Sequence, residues 1–570
     1  MNGERKRDAL KKASDREELY GVIDEQFAEL MLSVSGRASD PVLRRYARDV
    51  SRATRERNVC IDVPESDRSA LAESGVVGTS EDPDFPMVLD LKGRLYLNRY
   101  WQYEQMIAGR ILERIAPDSR LRRKQKISSR LDEYFPIEDR EHNQGQREAA
   151  EFALSHRLAI ISGGPGTGKT TTVAVILALL VEFAEKEKPI IALAAPTGKA
   201  AARLQESIIG QKQRLPIPEE VRENIPEDAG TIHRLLKWKQ GTPYFRHDSR
   251  NPLLADVIVL DECSMIDAAL MAKFMDAVRP DTKLILLGDK DQLSSVEAGA
   301  VFSDLCSAGL PCVKQLTHSY RFGAASSIGA VSRAVNAGDA EEALAIFQSG
   351  YADIARRAFA DADEYERVLT RTLIDGYAAY LRSESVEEAF ARLREFKILC
   401  ALREGPYGVT GVNKKAEEVL ENAGLIDRTS GMWYRAQPVM IAENDYGLSL
   451  FNGDVGILWP DREHEGTLMA FFEGGEKGLR RFHPSTLPPH ETVFAMTVHK
   501  SQGSQFTRVL TILPAEESPV VTRELLYTAL TRAERYVELW SAEGVLRQAV
   551  IRRTVRHSGL RDILEERRRV

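Results

Sequence analysis

The sequence predicts an α/β protein with two parallel sheets covered by helices, a small β insertion in the second, and a mainly helical amino-terminal domain. Short, fully apolar runs alternate with helical stretches from about residue 140 to 330, and such runs return near residue 395. Runs of this type are typical of parallel strands that are buried on both faces. A glycine-rich loop directly follows the first run, as in a strand–loop–helix unit that binds phosphate.

The amino-terminal segment shows helical spacing of its apolar residues. Leu19–Leu32 has this spacing, and Arg94–Leu112 runs from a strand-like start into a helix. No catalytic pattern occurs there, and residues 1–130 are predicted to form a separate, mostly helical domain.

Eight apolar runs predict the strands of the two sheets. The first sheet, within residues 131–335, is predicted from Leu158–Ile161, Ile190–Ala194, Val257–Leu260 and Leu284–Leu287. The second, within residues 336–570, is predicted from Phe396–Ala401, Val493–Val498, Val509–Leu513 and Tyr536–Trp540. Residues 425–490 are rich in Gly, Pro and short strand-like runs, which favours a β insertion in the second domain.

Composition argues against a membrane-spanning protein and against a site built on paired cysteines. An apolar share of 43% and a charged share of 29% are ordinary for a globular protein in water. No apolar run approaches the roughly 20 residues that span a bilayer, and the five cysteines form no CxxC pair. The chain is therefore expected to be cytoplasmic, with no membrane partner. Its net charge of −7 means that a nucleic acid would have to meet a local basic groove.

The loop after the first strand has the spacing of a phosphate-binding loop. Its residues are Gly163, Gly164, Pro165, Gly166, Thr167, Gly168, Lys169 and Thr170. The glycines let backbone N–H groups curl around a phosphate, and the next helix adds its positive dipole end. Lys169 can reach the β- and γ-phosphates, and the Thr170 hydroxyl can hold Mg²⁺. The chain is therefore predicted to bind a nucleoside triphosphate.

Candidate catalytic residues follow later strands. Asp261 and Glu262 end the third run, where one carboxylate suits a Mg²⁺ shell and the other an attacking water. Gln292 follows the next strand and can reach the γ-phosphate. Arg321 and Arg532 are candidates for neutralising the transferred phosphoryl group. Arginine is usually a solvated surface residue, so physics alone would not select these two.

The ordered motifs resemble superfamily 1 DNA helicases, and among them most of all the RecD family. The resemblance runs from about residue 140 to the end of the chain. Besides Gln146 and the glycine-rich loop, it rests on Ala195–Leu204, Thr231–Leu236, Asp261–Met265, Gly288–Leu293, Ser319–Phe322, Thr497–Phe506 and Leu525–Ala533. Segments specific to RecD are Leu399–Lys414, Pro438–Ile457 and Ser518–Ala533. Cys263 departs from the usual alanine, and little effect is expected.

The resemblance implies two RecA-like P-loop domains with ATP and Mg²⁺ between them, and an SH3-like insertion. It also implies that the amino-terminal domain, residues 1–130, docks a partner. In such a site Gln146 would read adenine and Tyr320 would stack on the base. Lys169, Thr170, Asp261 and Glu262 would build the Mg²⁺–ATP site, with Thr170 and Asp261 on the metal. Gln292, Arg321 and Arg532 would sense and stabilise the γ-phosphate.

The resemblance also implies a DNA-binding edge and an activity. Thr197, His233, Thr497, His499 and Ser501 lie in motifs that contact single-stranded DNA or link it to the nucleotide, although such residues have many structural uses. The implied activity is a 5′-to-3′ DNA helicase in a heterotrimeric RecBCD-type exodeoxyribonuclease V, with RecB-like and RecC-like partners, in double-strand-break repair and recombination. Since this chain shows no nuclease constellation, cleavage would belong to a partner.

Two other functions stay open. One is a stand-alone 5′-to-3′ helicase of the longer RecD-like type, whose extended amino-terminal region has helix-hairpin-helix elements that are not evident here. The other is a nucleotide-switched DNA-binding ATPase that unwinds nothing, and the complete motifs weigh against it. The segment Arg547–Val570 holds eight arginines against three acids, which favours a solvated charged helix over a DNA or partner contact.

Overall fold

The computed structural model describes residues 20–116, 124–136, 139–184, 188–239, 241–323, 326–429, 431–445, 447–474 and 478–569. Leu19 and Val570, at the ends of two segments discussed above, lie outside these ranges. The described chain forms two parallel sheets flanked by helices, an antiparallel sheet and an amino-terminal unit, so the predicted fold class is confirmed.

The amino-terminal unit packs helices on a small sheet. Its helices are α1 (Val22–Ser35), α2 (Pro41–Arg55), α3 (Glu65–Ala72) and α4 (Asn98–Leu112). Its strands are β1 (Cys60–Asp62), β2 (Val77–Thr79), β3 (Met87–Leu89) and β4 (Arg94–Leu97), in the order β1-β4-β3-β2. The strand-to-helix passage from β4 to α4 matches the sequence pattern. The other strands were not predicted, because runs of three residues show no usable alternation.

The first parallel sheet has six strands in the order β10-β5-β9-β8-β6-β7. They are β5 (Leu158–Gly163), β6 (Ile191–Ala195), β7 (Ala229–Thr231), β8 (Val257–Leu260), β9 (Lys283–Gly288) and β10 (Val313–Leu316). The helices around it are α5 (Lys124–Tyr134), α6 (Arg140–Ser155), α7 (Lys169–Glu182), α8 (Gly198–Arg214), α9 (Glu219–Asn224), α10 (Ile232–Leu235), α11 (Ala268–Ala277) and α12 (Val301–Ser307). All neighbouring strands are parallel, so their carboxyl ends share one edge.

The second parallel sheet has five strands in the order β11-β20-β19-β12-β18. They are β11 (Ile354–Arg357), β12 (Phe396–Cys400), β18 (Ala495–Thr497), β19 (Phe506–Ile512) and β20 (Ala533–Trp540). The helices of this domain are α13 (Ser327–Ala337), α14 (Ala340–Gln348), α15 (Ala362–Leu381), α16 (Val386–Leu393), α17 (Val409–Asn422), α18 (Arg523–Leu530) and α19 (Glu543–Ile551). Apolar clusters cover both faces of each parallel sheet, which explains why their strands are continuous apolar runs.

The β insertion lies between α17 and β18. It is a five-stranded antiparallel sheet in the order β16-β15-β14-β13-β17, with a small apolar core of its own. Its strands are β13 (Pro438–Ile441), β14 (Val455–Pro460), β15 (Leu468–Glu473), β16 (Leu479–Phe482) and β17 (His490–Thr492).

Packing moves both predicted domain boundaries. The boundary at residue 130 falls inside α5, whose Ile127 and Leu131 lie in the core of the first parallel sheet. The boundary at residue 335 falls inside α13, whose Ile328 and Val331 lie in the core of the second. A helix belongs to the core that its apolar face enters, so α5 starts the first sheet domain and α13 starts the second.

The carboxyl-terminal residues 552–569 return to the amino-terminal unit, and we call them the C-terminal strap. Its helix α20 (Leu560–Arg569) packs against α4 and α12, with Leu560 and Leu564 at most 1% exposed. The backbone N–H of Val59 donates to the carbonyl of His557 at 2.8 Å. The expectation of a solvated helix is therefore wrong, because three apolar residues at i, i+3 and i+4 give α20 a core-facing stripe.

Candidate active site

A cavity of about 840 Å³ is lined by residues of both parallel-sheet domains. The predicted site residues that line it are Gln146, Pro165, Gly166, Thr167, Gly168, Lys169, Thr170, Asp261, Glu262, Gln292, Tyr320, Arg321 and Arg532. Lys169 begins α7 of the first domain, and Arg532 lies between α18 and β20 of the second. Residues far apart in the sequence therefore meet around one space.

The glycine-rich loop can be built only from glycine at two positions. Gly166 has a φ of 76° and Gly168 a φ of 80°, in the left-handed region that side chains rarely adopt. A Cβ at Gly168 would lie 2.0 Å from Nε2 of Gln146, and one at Gly166 would lie 2.4 Å from Cβ of Arg321. The loop thus approaches the cavity with bare backbone, as a phosphate-binding loop requires.

Lys169 lies over its own loop. Its ammonium Nζ donates to the carbonyl of Gly163 at 2.5 Å and to that of Gly164 at 3.2 Å. The hydroxyl of Thr167 donates to the carbonyl of Gly164 at 2.9 Å. Gly163 and Gly164 therefore support the lysine from beneath, and the amine stands at the amino end of α7, where helices attract anions.

Gln146 and Tyr320 meet at one end of the cavity. The Tyr320 hydroxyl donates to Oε1 of Gln146 at 2.8 Å and to the carbonyl of His142 at 3.2 Å. Nε2 of Gln146 donates to the carbonyl of Gly168 at 3.2 Å. The tyrosine is 49% exposed, which leaves surface for stacking. Both ends of the glutamine amide are already engaged, so a base would have to replace one of these partners.

The two acids stand at the end of β8. Burial, and after it the charge of Glu262, raise the pKa of Asp261 to about 6, while Lys169 opposes the shift. Oδ1 of Asp261 accepts from the backbone N–H of Glu262 at 2.8 Å. Glu262 has a φ of 51°, a strained conformation for a residue with a side chain. Cys263 is buried, and its thiol donates to the carbonyl of Leu260 at 3.3 Å, outside the cavity lining.

Gln292 takes part in a network that the sequence did not reveal. Its Nε2 donates to Oδ2 of Asp289 at 3.0 Å, and the hydroxyl of Tyr527 donates to the same oxygen at 2.9 Å. Oε1 of Gln292 is buried without a hydrogen-bond partner among the described residues. Because Tyr527 belongs to α18, this network joins the two domains beside the cavity.

The next residue, Leu293, continues the connection through its backbone. Its N–H donates to the hydroxyl of Thr528 at 3.0 Å, and its carbonyl accepts from Nε2 of Gln502 at 2.8 Å. Both partners belong to the second domain. A displacement of Gln292 would therefore be transmitted directly to that domain.

Three arginines line the same cavity. Burial lowers the pKa of Arg321, and Arg532 lowers it further; Nη1 of Arg321 is buried with no partner among the described residues. Arg532 is 3% exposed and donates to the carbonyls of Thr528 and Ser504 at 3.1 and 3.2 Å. Arg203, in α8, was not singled out from the sequence. Such crowding of cations suits a polyanionic ligand.

The residues predicted to contact DNA lie near the carboxyl edges of the two parallel sheets. Thr197 caps α8 after β6, accepting from the N–H of Ala200 at 3.2 Å. Thr497 ends β18, and its hydroxyl accepts from the N–H of Lys500 at 3.2 Å. Ser501 is 0% exposed and donates to the carbonyl of Val498 at 2.7 Å. A direct DNA contact for Ser501 is therefore not available in this conformation.

The two histidines of this set are partly buried. Burial lowers the pKa of His233, which lies in α10 with its ring centroid 5.6 Å from that of Phe245. Burial, together with Arg57 and Arg556, lowers the pKa of His499 to about 4. His499 is therefore a neutral imidazole at pH 7 in this conformation.

Among the described residues, no helix is long and apolar enough to cross a membrane. Two family descriptions match parts of the chain: an AAA domain over residues 141–351 and a UvrD-like helicase C-terminal domain over residues 492–539.

Three relatives illustrate the extent of similarity. The RecBCD enzyme subunit RecD of Mycolicibacterium smegmatis is 41% identical, over 90% of this chain and 91% of that protein. The same subunit of Haemophilus influenzae is 34% identical, over 83% of this chain and 80% of that protein. The ATP-dependent RecD2 DNA helicase of Deinococcus radiodurans is 30% identical over 73% of this chain, which spans 52% of that protein.

Proposed function

The chain belongs to the RecD family, and from this premise we propose that it is the 5′-to-3′ ATP-dependent helicase subunit of a RecBCD-type enzyme. Its partners would be RecB-like and RecC-like subunits, and it would act in the cytoplasm on broken duplex ends. One observation carries the proposal: Lys169 of the first domain and Arg532 of the second line the same cavity. A nucleotide bound there would hold both domains, and hydrolysis would release them.

We assign the triphosphate of ATP to the glycine-rich loop. Lys169 would exchange the carbonyls of Gly163 and Gly164 for phosphate oxygens. The unpaired nitrogen of Arg321 supports a polyanionic occupant, since a buried guanidinium needs a counter-charge. The Thr170 hydroxyl and the Asp261 carboxylate would hold Mg²⁺, which when bound neutralises charge on the β- and γ-phosphates.

The remaining groups would serve the hydrolysis step. Glu262 would orient the attacking water, and Arg321 and Arg532 would stabilise the charge that develops on the γ-phosphoryl group. Gln292 would sense that group through its amide Nε2, which would exchange Asp289 for a phosphate oxygen. Its bond to Asp289 and the bonds of Leu293 to Thr528 and Gln502 would carry the change to the second domain.

The first test is the Lys169→Ala variant in the complete chain. Loss of the phosphate clamp should lower DNA-stimulated ATP hydrolysis by about 10²-fold or more. Lys188→Ala, at an exposed lysine on the surface, is the matched control and should behave as the unaltered protein does. Normal hydrolysis by Lys169→Ala would refute the catalytic assignment.

Strand-separation assays test the helicase itself. The unaltered chain should unwind duplexes with a 5′ single-stranded tail and leave those with a 3′ tail intact. Hydrolysis that DNA does not stimulate, without unwinding, would favour a nucleotide switch instead. Size-exclusion chromatography of the native protein distinguishes these two proposals. A stand-alone helicase would elute near 63.8 kDa, whereas a subunit of a complex would elute at a much larger mass.

A further inference from the structure

We propose that Arg203 is a third arginine of the nucleotide site and binds the terminal phosphate of the triphosphate from the first domain. The inference rests on the proposed function, because it assumes a triphosphate in the cavity. Arg203 lies in α8, two turns after its N-cap Thr197. Its side chain lines the cavity together with Lys169, Arg321 and Arg532.

Arg203 enters the cavity without a protein partner. Within the described part of the chain, its guanidinium makes no hydrogen bond or ion pair, whereas Arg532 donates to the carbonyls of Thr528 and Ser504. A guanidinium has five N–H donors and stays charged, and the partly exposed guanidinium of Arg203 has these donors open to the cavity. Burial, and after it repulsion from Arg532, lower the pKa of Arg203 to about 10. An anion in the cavity would remove both penalties.

The nearby acids do not satisfy this charge. Glu262, Glu206 and Asp261 attract Arg203, but none of them forms an ion pair with it. Glu262 and Asp261 are proposed above for the water and the metal, so neither of these two is free to approach it. A phosphoryl group offers several oxygens to one planar guanidinium and is the ligand that best matches this fork of donors.

The position of Arg203 in α8 also links the nucleotide to the DNA-binding edge. The first turn of this helix touches the second domain, since a Cβ at Gly198 would lie 3.0 Å from Cδ2 of Phe451. A Cβ at Gly503 would lie 3.8 Å from Cα of Ala200. A helix moves as a stiff rod, so a pull on Arg203 would shift Thr197 at its start. Binding of the terminal phosphate by Arg203 would thereby change the position of Thr197 at that edge.

The test compares triphosphate and diphosphate binding by full-length variants. Arg203→Ala should weaken binding of a non-hydrolysable ATP analogue by about tenfold or more, the loss expected for a charge-assisted hydrogen bond. ADP binding should change by less than about twofold, because ADP lacks the terminal phosphate. Arg203→Lys should bind the ATP analogue more tightly than Arg203→Ala, because lysine keeps the positive charge but lacks the planar pair of donors. Arg214→Ala, at the exposed end of the same helix, is the control.

Two results would overturn the inference. One is equal weakening of ATP-analogue and ADP binding in Arg203→Ala, which would mean that the residue only supports the helix. The other is unchanged binding of both nucleotides in Arg203→Ala. If the unaltered protein binds no triphosphate, or Lys169→Ala binds it equally well, the proposed function fails rather than this inference alone. Circular dichroism of each variant confirms that it is folded.

Discussion

Single residues at the nucleotide cavity are identified by their partners more than by their type. Gln292 is one amide among many, yet its Nε2 donates to Asp289, which also accepts from Tyr527 of the other domain. Its Oε1 is buried and has no partner in the described structure. An amide whose Nε2 can exchange Asp289 for a phosphate oxygen is suited to detect a ligand that arrives and leaves.

Replacing Gln292 by alanine should separate nucleotide binding from unwinding. Binding should survive, because the glycine-rich loop and Lys169 remain intact. Unwinding should fall by about tenfold or more, since one lost hydrogen bond to a charged group costs ~1.5–3 kcal/mol. Nucleotide titration and a strand-separation assay on the same preparation provide the two measurements. An equal loss in both would exclude a sensor role.

The sequence located most residues of the cavity, but it did not locate their long-range partners. The glycine-rich loop and Asp261 have diagnostic spacing and follow apolar strands, so their positions could be derived locally. Arg321 and Arg532 were selected by family resemblance alone. Asp289 and Tyr527 are 238 positions apart, and no local pattern pairs them. No local sequence pattern distinguishes Arg203 from other helical arginines, and only the structure shows that it lines the cavity.

At the scale of single elements, the strap is held by an unusually buried acid. Glu104 of α4 is 2% exposed and accepts from the hydroxyl of Ser558 at 2.7 Å and from the N–H of Gly559 at 3.1 Å. Asp304 and Arg94 are the other ionisable groups that act on it most strongly. Burial raises the pKa of Glu104 from 4.5 to about 7.

This pKa predicts a pH-dependent stability. Between pH 4.5 and 7 the unfolded glutamate ionises while the folded one stays protonated, so stability falls as pH rises through this window. Glu104→Gln removes that decline and should gain up to ~3 kcal/mol relative to the unaltered chain between pH 5 and 8. Thermal unfolding at several pH values measures the difference, with Glu113→Gln, at the exposed residue that follows α4, as control. If the stability of Glu104→Gln and that of the unaltered protein depended on pH in the same way, the raised pKa of Glu104 would be contradicted.

Elements were predictable where apolar residues dominate. The strand β8 has the predicted bounds Val257–Leu260, and β12 differs from its predicted run by one residue. Charge-rich elements were harder, because α20 carries its apolar stripe among many arginines. Its burial depends on α4 and α12, which precede it by hundreds of residues, so composition alone suggested a solvated helix.

At the scale of the whole molecule, the chain crosses between its halves more than once. It passes from β10 to α13, and the strap then returns from the second domain to the amino-terminal unit. Arg556 fixes this return by donating to the hydroxyl of Ser295 at 3.1 Å and to the carbonyls of Glu297 and Gly299 at 3.0 and 2.7 Å. The strap therefore connects three parts of the molecule.

Ending the chain at Ile551 should loosen the amino-terminal unit and spare the second domain. The truncation removes Leu560, Ile563 and Leu564 from the core beside α4, and each buried side chain of this kind contributes about 1.5–3 kcal/mol. Hydrogen exchange should accelerate in α4 and remain slow in β20, which serves as an internal control. Unchanged hydrogen exchange in α4 would mean that the strap does not stabilise the amino-terminal unit.

The strap also has a consequence for biosynthesis. The amino-terminal unit is translated before the strap, so part of the surface of α4 stays uncovered until residues 560–569 have been made. A nascent or prematurely terminated chain would therefore display an apolar face that chaperones and proteases recognise. The amino-terminal unit therefore completes its packing only after α20 has been synthesised.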